Sequence, residues 1–235
     1  MPDAKMEEAL RQRHHNHPES APPQSNSNGN VRTKPVPCQS ATSPRATRKW
    51  WFMTICALVI TAYSLNFLFG PPLVDAEVQS RLLASPSGWC HVGGGLTALA
   101  TGPFQLHHRL RNTRLKAHRV AGRVYALAVV VSGISAFYLS FHLFAYPIGQ
   151  YGFAILALLW LLSCGMAIKS IKQGDRAKHR EWMIRNYALT FAAVMQRWQI
   201  PLYLSFGLAP PAALSITGFS CWVPNSLFAE WWLRW

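Results

Sequence analysis

An all-α bundle of about six membrane-spanning helices is the fold class that the sequence predicts, and three observations predict it. Apolar runs of span length alternate with short breaks rich in Pro and Gly. Lys and Arg are confined to every second connection. Half of the 235 residues are hydrophobic, with ten Trp against only nine acidic residues, a balance that does not suit a soluble domain.

The modest mean hydropathy of the whole chain averages two unlike parts. Residues 1–49 carry Pro, Ser, Asn, Gln and eight Lys or Arg with few large apolar side chains, so burial cannot offset the entropy of ordering them. This stretch is expected to be a disordered basic tail. Asp3, Glu7 and Glu8, and the lack of an apolar core segment, argue against a secretory signal or an organelle transit peptide. The first span is then expected to serve as an uncleaved signal.

From Trp50 onward six runs qualify as spans, approximately 50–69, 88–106, 121–144, 150–169, 184–206 and 212–233. Crossing about 30 Å of hydrocarbon takes about twenty residues of helix, and the first, third and fourth runs meet that requirement without ambiguity. Gly70-Pro71-Pro72, Pro147-Ile148-Gly149 and the stretch from Gly207 to Pro211 mark the expected outer turns.

Orientation follows from charge, since short cytoplasmic loops retain the excess of Lys and Arg. The tail, residues 107–123 (Arg109, Arg111, Arg114, Lys116, Arg119, Arg123) and residues 169–185 (Lys169, Lys172, Arg176, Lys178, Arg180, Arg185) are basic, whereas the alternate connections hold Arg81 alone. Six crossings put the three basic regions on one side, and Arg234 returns to it. Both termini are therefore expected in the cytoplasm. Trp50, Trp51, Trp222, Trp231, Trp232 and Trp235 fall near span ends, where interfacial anchoring places them.

The net charge of +14 raises a nucleic-acid reading, but no groove-entering or base-stacking motif accompanies it. The charges are expected instead to set topology and to meet anionic lipid headgroups at the cytoplasmic face of the bilayer. Cys38, Cys56, Cys90, Cys164 and Cys221 are scattered without a C-x-x-C pair, which suggests neither a zinc site nor a redox couple; a Cys90–Cys221 disulfide on the outer side is the one pairing to consider. His14, His15 and His17 in the tail are read as solvated rather than as metal ligands.

Polar residues within the spans carry the functional information, because ionisable groups in hydrocarbon are costly and face a bundle interior or a cavity. On the second span His91, Gly95, Ala98, Gly102 and Gln105 form one stripe of small and polar residues, suited to close helix packing or to a flat cofactor. On the fifth span His179, Met183, Asn186, Thr190, Ala193 and Arg197 form a polar stripe that cannot face lipid. His118 and His179 open the third and fifth spans at one depth, so they are candidate axial ligands of a haem b, with His91 and His142 a second pair at the outer boundary. His118 and His142 are 24 residues apart and roughly 120° around an ideal helix, so one face does not present both. Apart from haem iron no metal is expected. Arg197 needs an acceptor, with Asn225, Glu230, carbonyls released by Pro201 or an anionic ligand as candidates.

The run from His179 to Ala193, together with Gly102-Pro103-Phe104-Gln105, His118-Arg119-Val120-Ala121-Gly122-Arg123-Val124-Tyr125, Trp222-Val223-Pro224-Asn225 and Ala229-Glu230-Trp231, resembles the signature of a predicted membrane protein family of unknown function, number twenty-three-oh-six. The likeness covers about 88–233. It implies a membrane bundle in a family found in bacteria and fungi, and the tail suits a fungal member. Where the family continues Ala-Ala-Val-Thr-Leu-Arg, this chain has Ala192-Ala193-Val194-Met195-Gln196-Arg197, which sets a hydrogen-bonding side chain beside the charge.

Two functional classes remain open. One is a b-type haem oxidoreductase. The other is a non-redox membrane protein that binds or transports an amphipathic small molecule, with Arg197 on its anionic group, or that scaffolds a pathway. An intramembrane hydrolase or cyclase has only Glu230 in its favour, and no inverted repeat points to a transporter. The sequence leaves open whether the protein is an enzyme.

Overall fold

The computed structural model of the chain describes residues 44–70, 76–107, 113–143 and 147–234. The expected disordered tail lies outside the described residues as far as residue 43, and His14, His15, His17 and Cys38 with it. Every regular element among the described residues is helical: α1 Pro44–Phe69, α2 Ala76–Leu83, α3 Pro86–Leu106, α4 Leu115–Leu143, α5 Pro147–Lys172, α6 Arg176–Thr190, α7 Ala192–Ser205, α8 Pro210–Ser220 and α9 Val223–Arg234.

By length and composition Trp50–Phe69, Leu115–His142 and Pro147–Lys172 are long and apolar enough to cross a membrane. These are the first, third and fourth of the expected spans. The fifth and sixth are each broken in two.

Local chemistry sets the ends. Ser85 caps α3, its Oγ accepting from the Gly88 N–H at 3.2 Å, and Pro86 occupies the first turn, where a missing N–H costs nothing. Gly174 (φ +80°) ends α5 and Gly207 (φ +81°) ends α7. Each sits in a Schellman turn, with Asp175 N–H on the Ser170 carbonyl at 3.0 Å and Leu208 N–H on the Tyr203 carbonyl at 3.1 Å. Pro147 starts α5 rather than ending α4, so Gly149 lies inside that helix.

Asp175 caps α6 by accepting from the Lys178 N–H at 2.9 Å, and its carboxylate also meets Lys178 Nζ at 3.4 Å. The Lys178 N–H holds the carboxyl below its ordinary value. A lowered carboxyl stabilises the helix start above the unfolded pKa, about 4, and that help is lost as pH falls through the lower folded value. Protection of the Lys178 amide, its exchange rate relative to the intrinsic rate at the same pH, is expected to fall on acidification into that window, and Asp175→Ala is expected to show low protection at all pH; equal protection in wild type and variant at pH 7 would rule out the cap.

A proline within or at the start of a helix withholds an N–H from the carbonyl four residues back, and at Pro103 and Pro224 another helix supplies the missing donor. Pro103 in α3 withholds one from Leu99, whose carbonyl accepts from Tyr187 Oη at 3.3 Å. Pro224 in α9 withholds one from Ser220, whose carbonyl accepts from Gln199 Nε2 at 3.2 Å. The second case explains why the sixth span breaks at Cys221–Trp222. The fifth breaks at Phe191, where Thr190 Oγ1 bonds back to the Asn186 carbonyl at 3.0 Å and Asn225 Nδ2 donates to the Ala188 carbonyl at 3.3 Å.

The core lies where α3, α4, α5 and α6 meet, around Leu99, Tyr125, Val129 and Asn186, all at most 1 % exposed. Close approach depends on glycine at two crossings. A Cβ on Gly102 would overlap the Tyr187 ring, and one on Gly152 would lie 2.6 Å from the Gly218 backbone, so α3–α6 and α5–α8 pack at a distance that no other residue allows.

The helix ends divide into two groups. Trp50 Nε1 donates to the Pro103 carbonyl at 2.9 Å, which sets the start of the apolar part of α1 beside the end of α3. Gln79 Nε2 donates to the Phe67 carbonyl at 2.6 Å and Phe69 stacks obliquely on Trp89 at 6.2 Å, so the end of α1 lies beside the start of α3. Neighbouring long helices therefore run in opposite directions.

Candidate functional site

Three polar assemblies lie within the bundle. The innermost is a knot joining α4, α5 and α6. Tyr125 Oη donates to Asn186 Oδ1 at 2.6 Å and lies 2.9 Å from Thr190 Oγ1, while Trp160 Nε1 donates to the same Thr190 oxygen at 2.9 Å. Asn186 Nδ2 divides its two protons between the Trp160 carbonyl and Ser163 Oγ, each at 2.8 Å. Both polar atoms of the Asn186 side chain are satisfied, which is what a buried amide requires.

The second assembly gathers at the end where α3 finishes, α4 and α6 begin and α9 finishes. Arg185 grips Glu230 with two bonds, Nε to Oε1 at 2.6 Å and Nη2 to Oε2 at 3.2 Å, and also meets Glu181 at 3.6 Å and the Trp182 ring at 4.9 Å. Gln105 is buried against α4, its amide nitrogen donating to His118 Nδ1 at 3.0 Å and its oxygen accepting from the Gly122 N–H at 3.3 Å. His179 Nδ1 lies 2.9 Å from the Ala167 carbonyl on α5.

The third is a cavity of about 600 Å³ toward the opposite end, bordered by the last turns of α1, the first half of α3, one face of α7 along its length and the start of α8. Its walls are mostly apolar, with Phe67, Leu96, Phe153, Ile200 and Leu204 among them. Trp160 and Thr190 border it too, so the polar knot is its floor. Tyr63, His91, Gln196, Arg197 and Cys221 are among its other polar groups, with Arg81 on α2.

Arg197 reaches this cavity as a half-buried guanidinium whose Nη1 donates to Gln196 Oε1 at 3.2 Å. Among the described residues no carboxylate forms an ion pair with Arg197. His91, Tyr63 and Cys221 stand close enough to feel its charge.

Glu230 and Asn225, expected as partners of Arg197, are engaged elsewhere. Glu230 is held by Arg185, twelve residues before Arg197 and about 18 Å away along a helix axis. Asn225 pins the Phe191 break, donating to the Ala188 and Cys221 carbonyls. A clamp between the last two spans does exist, in Arg185–Glu230, Asn225–Ala188 and Gln199–Ser220, but Arg197 is not part of it.

The histidines separate. His91 meets Ser132 on α4, and His142 lies ten residues, about 15 Å, further along that helix, exposed and stacked on Tyr138 at 4.0 Å. His118 and His179 each precede the Tyr125–Asn186 bond by seven residues, which gives them one level as expected. Their Nδ1 atoms nonetheless engage different helices, α3 and α5. Cys90 and Cys221 are free thiols, the first exposed and the second buried at mid-helix depth, so the disulfide is not formed.

The stripe on the second span divides in two. Ala98 and Gly102 pack against neighbours, while His91 and Gly95 border the cavity. Sequence reasoning passed over Tyr125, Trp160 and Ser163. The available signal was Trp160, a Trp in mid-run rather than at an interface, whose N–H needs an internal acceptor.

Among curated proteins and among solved structures nothing matches the chain. The model of a predicted membrane protein family, DUF2306, matches residues 88–233. That stretch holds the Arg185–Glu230 pair, the polar knot and the His91 and Arg197 sides of the cavity, and over it the chain belongs to the DUF2306 family of predicted membrane proteins.

Proposed function

We propose that the chain crosses the membrane six times with both termini in the cytoplasm, and that it binds an amphipathic anion in the cavity between the outer halves of its helices. Arg197 carries this reading. A guanidinium among apolar helices is retained only against a counter-charge or a polar cavity, and this one borders a partly open cavity with a neutral amide as its bonded partner. The apolar walls suit a hydrocarbon tail and the Arg197–Gln196 pair suits a carboxylate or phosphate head.

The grouping of helix ends supports the topology. The end of α3, the start of α4, the end of α5 and the start of α6 flank the Arg185–Glu230 end, and the end of α1, the start of α3 and the α7–α8 turn flank the cavity end. With three of the helices long enough to span alone, the broken α6–α7 and α8–α9 pairs and α3 account for the other crossings. In a Cys90→Ser background, a cysteine placed at Ser80 is expected to react with an impermeant maleimide from the outer side of the sealed membrane, and one placed at Lys178 is expected to react only after permeabilisation. The reverse pattern would invert the topology.

A haem b held by His91 is the second reading, favoured by one observation: of His91, His118 and His179, only His91 borders the cavity. Binding is tested with purified protein in nanodiscs and dansyl-undecanoate, a fluorescent fatty-acid analogue, titrated to saturation and displaced with oleate. The expected result is one saturable site with no Soret band in the same sample. A Soret band at one haem per chain that disappears in His91→Ala would establish the haem reading in its place.

A further inference from the structure

Resting on that reading, we propose that the anion this cavity takes also carries a hydroxyl, which it donates to His91 while Arg197 holds the charged head.

The tautomer of His91 is fixed by its neighbours. Nδ1 lies 3.3 Å from the Ser132 carbonyl, a group that only accepts. Nδ1 also lies 3.2 Å from Ser132 Oγ, but that hydroxyl donates its proton to the His91 carbonyl at 2.7 Å, so toward the imidazole it too acts as an acceptor. Two acceptors facing one nitrogen place the proton on Nδ1. In the neutral ring Nε2 then holds a bare lone pair. Ser132 is fully buried, which keeps this arrangement out of reach of water on the α4 side.

Nε2 has no bonded partner among the described residues, and its ring borders the cavity. The polar end of the cavity thus presents complementary functions on two facing helices: a donor-only guanidinium on α7 and an acceptor-only nitrogen on α3. A plain fatty acid answers the first and leaves the second unpaired, whereas a hydroxylated amphipathic acid answers both. Gly95, one turn on from His91, leaves room beside the ring, since a Cβ there would touch only Ser132 Oγ at 3.5 Å.

The test uses displacement of dansyl-undecanoate from the full chain in nanodiscs by stearate, by hydroxystearates with the hydroxyl on the second, third or twelfth carbon, and by their methyl ethers. One neutral hydrogen bond is worth about five-fold in affinity. At least one hydroxystearate is expected to displace the probe about five-fold more tightly than stearate, with its methyl ether no better than stearate. In His91→Phe the advantage is expected to vanish while stearate still displaces. Equal affinities of acid, hydroxyacid and ether on the wild type would overturn the hydroxyl and leave the Arg197 site standing, and so would an advantage that survives in His91→Phe. Failure of every one of these acids to displace, or of the probe to saturate, would overturn the cavity reading itself. The ether comparison on the wild type keeps the inference testable even if His91→Phe does not fold.

Discussion

Asn186→Leu is expected to lower stability by about 2–4 kcal/mol, the largest loss from any single side chain in the bundle. Asn186 is fully buried and its side chain makes three hydrogen bonds, to Tyr125, Ser163 and the Trp160 carbonyl. Hydrogen bonds between helices in a bilayer average only about 0.6 kcal/mol each, which would put the loss near 2 kcal/mol. The substitution does more than delete them, because it leaves the Tyr125 hydroxyl with Thr190 Oγ1 and the Trp160 carbonyl with Ser163 Oγ as their remaining side-chain partners, and each reduced set of bonds adds part of a desolvation cost. Tyr125→Phe, which removes one hydroxyl and keeps the amide, is expected to cost about 1 kcal/mol. Thermal unfolding in detergent, followed by the reactivity of buried Cys164 and Cys221, gives the order wild type, Tyr125→Phe, Asn186→Leu. An Asn186→Leu protein that melts with the wild type would mean that the knot holds nothing together.

Arg197→Gln is expected to weaken binding of the dansyl acid about 100-fold, toward the lower end of the range for removing one member of a desolvated charge pair. Stability is expected to move in the opposite direction or not at all, since among the described residues the guanidinium has no carboxylate to abandon and its removal relieves a buried charge. This pairing of effects is the signature of a ligand-binding residue. A structural arginine would show the converse, with loss of stability and little change in affinity. Arg185→Gln supplies that converse within the same protein, because it strips Glu230 of its two-bonded partner at the far end of the bundle.

The architecture was legible in the sequence to the extent that hydropathy and charge report it. Runs 50–69, 121–144 and 150–169 fall within single helices over their described residues, and none of them contains a proline. The break in the sixth run has a signal in the sequence, Pro224, which withholds an N–H from the Ser220 carbonyl. The break in the fifth was not legible, since neither Gly nor Pro stands at Phe191, and there Asn225 from another helix takes the Ala188 carbonyl. Such exchanges between distant residues leave no periodic trace. Arg197 was readable as a functional candidate because a charge in an apolar run is conspicuous, whereas its separation from Glu230 depends on depth, which the break at Phe191 and the start of α6 at Arg176 both alter. The histidines mislead for a similar reason: equal depth of His118 and His179 follows from equal spacing, but the direction of each ring is set by Gln105 and Ala167, on helices that spacing says nothing about.

The most direct test of an anion held by Arg197 inside the bundle is photolabelling with a palmitate analogue carrying a diazirine on its chain, read by peptide mass spectrometry. Adducts are expected on cavity residues such as Leu96, Ile200 and Leu204, suppressed by excess oleate and absent from Arg197→Gln. Adducts confined to the outward-facing residues Leu127, Ile134 and Leu158, indifferent to both oleate and the substitution, would contradict the account.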